Sequence, residues 1–375
     1  MMQNSIDAHP KPLDKILSSS YLPALDGLRA IAVLIVIVYH LGYDSVPGDL
    51  GVTAFFVLSG FLITWLLLNE FRQTGQISLL QFYSRRVLRI VPAYYIFLIL
   101  IYLEEHFRGY IWDPWLTISG FFYLVNYYNG FHGHPNTAIA HAWSLAVEQQ
   151  FYLLWPLLLI FLLRKGIKVT AWTLGVIIGL VATLRSSLYL GFGVDHSYVY
   201  NAFETRFDCI AAGCTVAVLV SWPRFRLLME DLSKSSLFPL ITLLLLCYSR
   251  IGGSAEYHYS VGFTVDSLLL GLFMIQLLIM SGRPAWRWID HPAMVYLGRI
   301  SYSLYLYHLL ALGIANRISP NFVGGRVFVS LFLCVLLASV SYWLVEVPVL
   351  RLRQRLAMSN KIHREPLDPA QHVTA

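Results

Sequence analysis

The feature that most restricts this sequence is a succession of apolar runs, each long enough to cross a lipid bilayer. About 30 Å of hydrocarbon takes roughly 20 helical residues. Ten segments qualify: 28–44, 50–71, 87–105, 146–164, 168–188, 206–222, 236–251, 262–281, 294–314 and 324–346. The stretch 116–128 (LTISGFFYLVNYY) is apolar but short, and reads as re-entrant or as lying against the outer face. Composition agrees. The 375 residues are 57% hydrophobic and 13% charged, with a mean hydropathy of +0.61. One or two soluble cores cannot bury that much apolar surface. Aromatic residues, at 15%, suit a protein with long interfacial rims. The expected fold is an all-α, polytopic integral membrane bundle of about ten transmembrane helices.

Ten spans put both termini on one side, and basic residues decide which. Nineteen of the 27 Lys and Arg fall on the tails and loops of the side that holds the termini. Six (Arg108, Arg185, Arg206, Arg250, Arg317 and Arg326) fall on the opposite side or its helix ends, and Arg29 and Arg299 lie just inside spans near the first face. The positive-inside rule then makes both termini cytoplasmic. The net charge of +6 is this same bias, not the concentrated stripe of a nucleic-acid binder. Residues 1–20 form a polar tail without an apolar run, so the first span reads as uncleaved and not as a signal peptide. Residues 351–375 form a basic, then polar, cytoplasmic tail. Cys209, Cys214, Cys247 and Cys334 stand in apolar stretches without CxxC spacing and read as small core residues. GxSxG, Walker, HExxH and CxxC patterns are absent from the sequence, leaving no support for dinucleotide, ATP or zinc chemistry.

Ionisable residues inside spans are costly and therefore mark candidate sites. Arg29 and His40 are eleven residues apart in LDGLRAIAVLIVIVYH. Eleven helical steps bring them to one face, about 16 Å apart along the axis. A guanidinium and a titratable imidazole on one apolar stripe suggest a polar pathway. In FYSRRVLRIVPAYY, Arg85, Arg86 and Arg89 fall within five residues, with Pro92 expected in the first turn of the third span. Arg86 and Arg89, at i and i+3, face one way; such a cluster holds phosphate groups or anchors anionic lipid. In HAWSLAVEQQFYLLWP, Glu148 either orients an imidazole or a sugar hydroxyl, or caps the helix dipole; Ser144 is an N-cap or lines a site. Pro156 should kink that span. Glu204, Arg206 and Asp208 cluster at the outer end of the sixth span, with Arg206 and Asp208 on different faces. ISYSLYLYH places Ser301, Tyr302, Ser303, Tyr305 and His308 on a face that lines a cavity or joins helices. Glu346 is expected to pair with Arg351 or Arg353.

Taken in order, YLPALDGLRAIAVLIVIVYH, GVTAFFVLSGFLI, RRVLRIVPAYY, HAWSLAVEQQFY, RFDCIAAG, SYSLYLYH and VEVP resemble the membrane-bound acyltransferase-3 family of bacterial polysaccharide and lipopolysaccharide O-acetyltransferases. The likeness covers about residues 20–350 and implies a transmembrane acyltransferase domain over 21–350. It implies a multi-pass protein of the bacterial cytoplasmic (inner) membrane. It also implies acyl-CoA, usually acetyl-CoA, as co-substrate, with no metal. On this reading Arg29 and His40 form the family's Arg-x10-His pair, Arg86 and Arg89 its Arg-x-x-Arg motif for the donor beside Arg85, and Glu148 the acidic position after Trp143–Ser144. His40, Arg29 and Glu148 are then catalytic, His40 as general base or as a transient acyl carrier. Ser144, Trp143, Arg206, Asp208, Tyr305 and His308 are expected around the acceptor, a hydroxyl of a glycan or lipid-linked saccharide. A small molecule such as a macrolide is the alternative acceptor, and a transporter or flippase with these residues along its path is the alternative class. The chain ends soon after its tenth span and so resembles the short form, without a C-terminal esterase-like domain.

Overall fold

The computed structural model describes residues 13–19, 21–318 and 323–352. Both tails lie largely outside the described residues, as do Lys11 and Arg353. All regular structure among the described residues is helical. Ten long helices correspond to the ten apolar segments: α1 (Pro23–His40), α2 (Gly48–Thr74), α3 (Leu79–Phe107), α4 (Trp143–Lys165), α5 (Ile167–Ser186), α6 (Phe203–Leu219), α7 (Leu237–Gly252), α8 (Phe263–Met280), α9 (Ser301–Ile318) and α10 (Val323–Ser341). Seven are long and apolar enough to span a membrane, and an eighth results if Pro223–Leu232 and α7, which meet at 90°, count as one span. The two others are short or polar for a reason. α6 has 17 residues and buries Arg206 and Asp208, and α9 has 18 and buries Ser301, Ser303, Tyr305 and His308. Packed among neighbours, they need not present an apolar face to lipid.

Rim contacts define two faces. Arg250 pairs with Asp49 at 2.8 Å and Arg317 pairs with Glu104 on the face where α1 ends at His40. Arg85 pairs with Glu70 at 3.3 Å and Arg226 pairs with Asp14 on the face where Arg29 lies. Helices α2 and α6 cross with backbones nearly touching. A Cβ on Gly60 would strike the carbonyl of Ile210, and one on Gly213 the carbonyl of Val57. Only glycine permits this approach.

The segment 116–128 forms parts of two short helices, Pro114–Phe121 and Val125–His132, broken at Tyr123, whose φ of 55° ends the first. They are tied to the bundle by Asn129 Nδ2 donating to the Ala140 carbonyl (2.8 Å) and by the amide pair Asn126–Gln150. Three other expectations are corrected. Pro92 sits inside α3, which begins thirteen residues earlier at Leu79 under the Ser78 cap. The basic run SRRVLR is thus the first turns of the helix rather than its approach. Glu346 accepts from Ser303 Oγ at 2.6 Å, a partner on α9 and not Arg351; Arg353 lies outside the described residues. Of the cysteines, Cys209, Cys214 and Cys334 are buried, but Cys247 is exposed on α7.

Candidate functional site

Two chambers lie between the helices, one toward each face. The first, about 80 Å³, is lined by Arg29, Arg86, Arg89, Glu148 and Ser144, with Ser59, Tyr152 and Tyr305 among its walls. Arg29 projects from α1, with Asp26 one turn away at 3.4 Å. Asp26 is itself held by the hydroxyl of Tyr21 at 2.6 Å. Arg86 and Arg89 come from one face of α3, and the Arg86 guanidinium lies 5.5 Å from the centre of the Tyr152 ring. That aromatic face holds the cation without neutralising it. Glu148 accepts from Ser59 Oγ (2.7 Å) and from the Tyr152 hydroxyl (3.2 Å). Three arginines and one hydrogen-bonded carboxylate therefore share a narrow chamber with a net positive character.

Arg85 diverges from its neighbours. It faces Glu70 and lines a larger, adjoining hollow of about 1010 Å³ that opens toward the same face. Arg86 lines both this hollow and the first chamber. An extended anionic molecule entering from that face would meet Arg85 first and the Arg29–Arg86–Arg89 set next.

The second chamber, about 630 Å³, opens toward the other face. His40, His134, His141, His196 and His258 line it, with Trp143, Tyr200, Asp49 and Tyr305. His40 Nδ1 is 2.9 Å from the Val36 carbonyl. A carbonyl only accepts, so Nδ1 carries the proton, and in the neutral ring Nε2 keeps its lone pair. His308 is arranged alike, with Nδ1 2.6 Å from the Tyr305 carbonyl. The ring of His308 lies between those of His40 (4.9 Å between centres) and His141 (4.7 Å). At the mouth, burial pushes the His134 imidazole below its ordinary value, against the opposing pull of the Asn201 side chain. No group of three or more His, Cys, Asp or Glu among the described residues is disposed to hold a metal ion.

The two chambers abut. Val52 and Tyr305 line both. The Tyr305 hydroxyl is 2.6 Å from Ser144 Oγ and donates to the His141 carbonyl at 3.0 Å. Arg29 and His40, on one stripe of α1, thus open into different chambers.

Three predicted acceptor residues line neither chamber: Asp208, Arg206 and His308, the last stacked against His40 and His141 without reaching the cavity. Asp208 is fully buried against Arg185 (2.9 Å), which also donates to Thr264 Oγ1 and the Thr205 and Ser260 carbonyls. Arg206 lies 3.7 Å from the centre of the Phe263 ring and donates to Thr53 Oγ1. Both act as struts behind the second chamber, because a charge this deep needs partners fixed by the fold. The sequence reading passed over Ser59 and Tyr152, although Tyr152 follows Glu148 by one helical turn. It also passed over the network in which Asp49 receives Arg250 and His258 (3.0 Å). Nothing local in the sequence joins residues 200 apart.

Comparison with known proteins supplies a second line of observation. An acyltransferase domain of the acyltransferase-3 type matches residues 22–346. The chain is 34% identical over 373 residues to the O-acetyltransferase OatA of Staphylococcus aureus strain NCTC 8325 / PS 47, covering 90% of this chain and 59% of that protein. It is 32% identical over 372 residues to a putative O-acetyltransferase of S. aureus strain COL, with the same coverage. The chain therefore spans about 59% of the length of these relatives. No solved structure matches it.

Proposed function

The chain belongs to the acyltransferase-3 family, whose domain fills residues 22–346, and from this premise we propose that it is a membrane O-acyltransferase carrying an acetyl group from cytoplasmic acetyl-CoA to a hydroxyl presented at the opposite face. The acceptor class is a glycan or lipid-linked saccharide, and the setting is the bacterial cytoplasmic membrane with the Arg29 face inward. The observation that carries the reading is the pair of abutting chambers, one lined by Arg29, Arg86 and Arg89, the other by His40 and His141, whose rings flank that of His308.

The basic side suits the donor. Coenzyme A is anionic and enters from the cell interior. Its phosphates meet Arg85 in the outer hollow and Arg86 and Arg89 beyond it, guanidinium forks being the natural partners of phosphate. The thin pantetheine arm then points the thioester through the first chamber toward Tyr305. In the second chamber, Nε2 of His40 takes the proton of the acceptor hydroxyl as its oxygen attacks the thioester carbon. A new C–O bond forms, the C–S bond breaks, and the imidazolium returns its proton to the departing sulfur. Glu148, bridged by Ser59 and Tyr152, balances the arginine set while the donor is absent. Trp143, Tyr200 and Asp49 offer the aromatic faces and hydrogen-bonding groups that a sugar acceptor uses.

The test is incubation of the purified protein in detergent with labelled acetyl-CoA and a cell-envelope glycan fraction. Transfer of label to the acceptor is expected. His40→Ala should reduce it about 10²- to 10⁴-fold with donor binding retained. The double variant Arg86→Ala/Arg89→Ala should chiefly weaken donor binding. Near-normal transfer by a folded His40→Ala protein rejects the base role, and unchanged donor affinity in the double variant reassigns the arginines to lipid anchoring.

A further inference from the structure

The two chambers share a wall, and its central piece is one side chain. We infer that Tyr305 is a latched partition that keeps water of the histidine chamber from the donor chamber until an acceptor is in place. This deepens the acyltransfer reading and rests on it for its purpose, though not for its geometry.

Tyr305 is 5% exposed, yet it borders both cavities. Its hydroxyl is clasped by Ser144 Oγ at 2.6 Å and the His141 carbonyl at 3.0 Å, both contributed by the segment that opens α4. The ring packs edge-on against Phe55 on the donor side (6.0 Å) and His141 on the other (5.2 Å). The phenol thus closes the gap between α9 and α4 through hydrogen bonds alone, with no ion pair in the latch. Two such bonds are worth little net, so the ring can swing aside when something better fills its place.

The position matters because the smaller chamber, about 80 Å³, is where a thioester would wait, and the larger, about 630 Å³, opens to the opposite face. Without a partition, water would reach the thioester carbon and give acetate, free thiol and a proton, with no acceptor acylated. Excluding water is how a site prevents this side reaction. The same ring must leave its place for the donor carbon to approach His40, so Tyr305 couples donor cleavage to acceptor arrival. It is a positioning residue and takes no part in bond making.

The test has two arms. In the first, Leu145, which lines only the donor chamber, is changed to cysteine in a Cys247→Ser background, and an impermeant thiol reagent is applied from the His40 face. Labelling should be slow with Tyr305 present and rise on the order of tenfold in Tyr305→Ala, with an intermediate rise in Tyr305→Phe, which removes both latch bonds, and a smaller one in Ser144→Ala, which removes one, the ring being kept in each. Equal labelling in all four backgrounds overturns the partition, and the two conservative variants decide the matter if Tyr305→Ala does not fold. In the second arm, acetyl-CoA cleavage without acceptor should rise in Tyr305→Ala and Tyr305→Phe while donor affinity holds. An unchanged ratio of thiol released to acceptor acylated overturns the coupling role. If the wild-type protein cleaves no acetyl-CoA even with acceptor present, the acyltransfer reading fails, and the labelling arm still decides the partition.

Discussion

Arg185 and Asp208 show how far a single pair can shape the interior. Both are fully buried, and Arg185 also satisfies Thr264 and two carbonyls, so three helices converge on one guanidinium. Deleting one partner strands the other charge, at a cost of about 3–5 kcal/mol. Asp208→Ala should therefore lower the thermal unfolding midpoint of the purified protein sharply, and Arg185→Met/Asp208→Leu should recover most of the loss. A double variant no more stable than the single would show that the pair is needed for more than charge balance. At this scale the sequence was partly legible. The i, i+3 spacing of Arg86 and Arg89 placed both in one chamber, and the two-residue step from Arg206 to Asp208 sent them to different surroundings. Partners were not legible. Glu148 meets Ser59 across 89 residues, and Glu346 meets Ser303 across 43. Long-range pairing is set by which helices are neighbours, and no local pattern states that.

The helices themselves were the most readable elements, because apolar length is a direct consequence of bilayer thickness. Their ends were less so. α3 extends back through SRRVLR to Leu79, since a helix can carry arginines in its first turns where they reach an aqueous hollow. The crossing of α2 and α6 was not legible, because glycine in an apolar run is ordinary until its opposite number is known. Gly60→Ala or Gly213→Ala should force the two backbones apart, costing about 1–3 kcal/mol. Gly179→Ala in α5 is the matched control: nothing lies within 4 Å of its added carbon, and alanine favours helix by up to about 1 kcal/mol. Thermal unfolding of the three variants should separate them in that order; equal behaviour would remove the close crossing as a determinant of the fold.

For the whole molecule, the proposed chemistry depends on the orientation that the positive-inside rule predicts from the unequal spread of basic residues, with the arginine chamber toward the cell interior. Reagent access from outside intact cells tests this directly. In a Cys247→Ser background, Phe131→Cys should be labelled at once and Gln73→Cys only after permeabilisation; the reverse pattern would put the arginine chamber outside and separate it from any cytoplasmic donor. The stripe linking Arg29 to His40 was visible from their spacing, but not that a wall divides it, because the wall comes from α9, more than 260 residues onward. That helix brings a mechanical consequence. Tyr305 and His308 stand one turn apart, and the backbone oxygen of the first holds the ring of the second. A swing of the phenol about its own bonds leaves the imidazole stack standing. A roll of α9 would instead gear the two together, drawing His308 off His40 in the same stroke that clears the passage, so the base would be released from its neighbour only as the acyl group comes within reach.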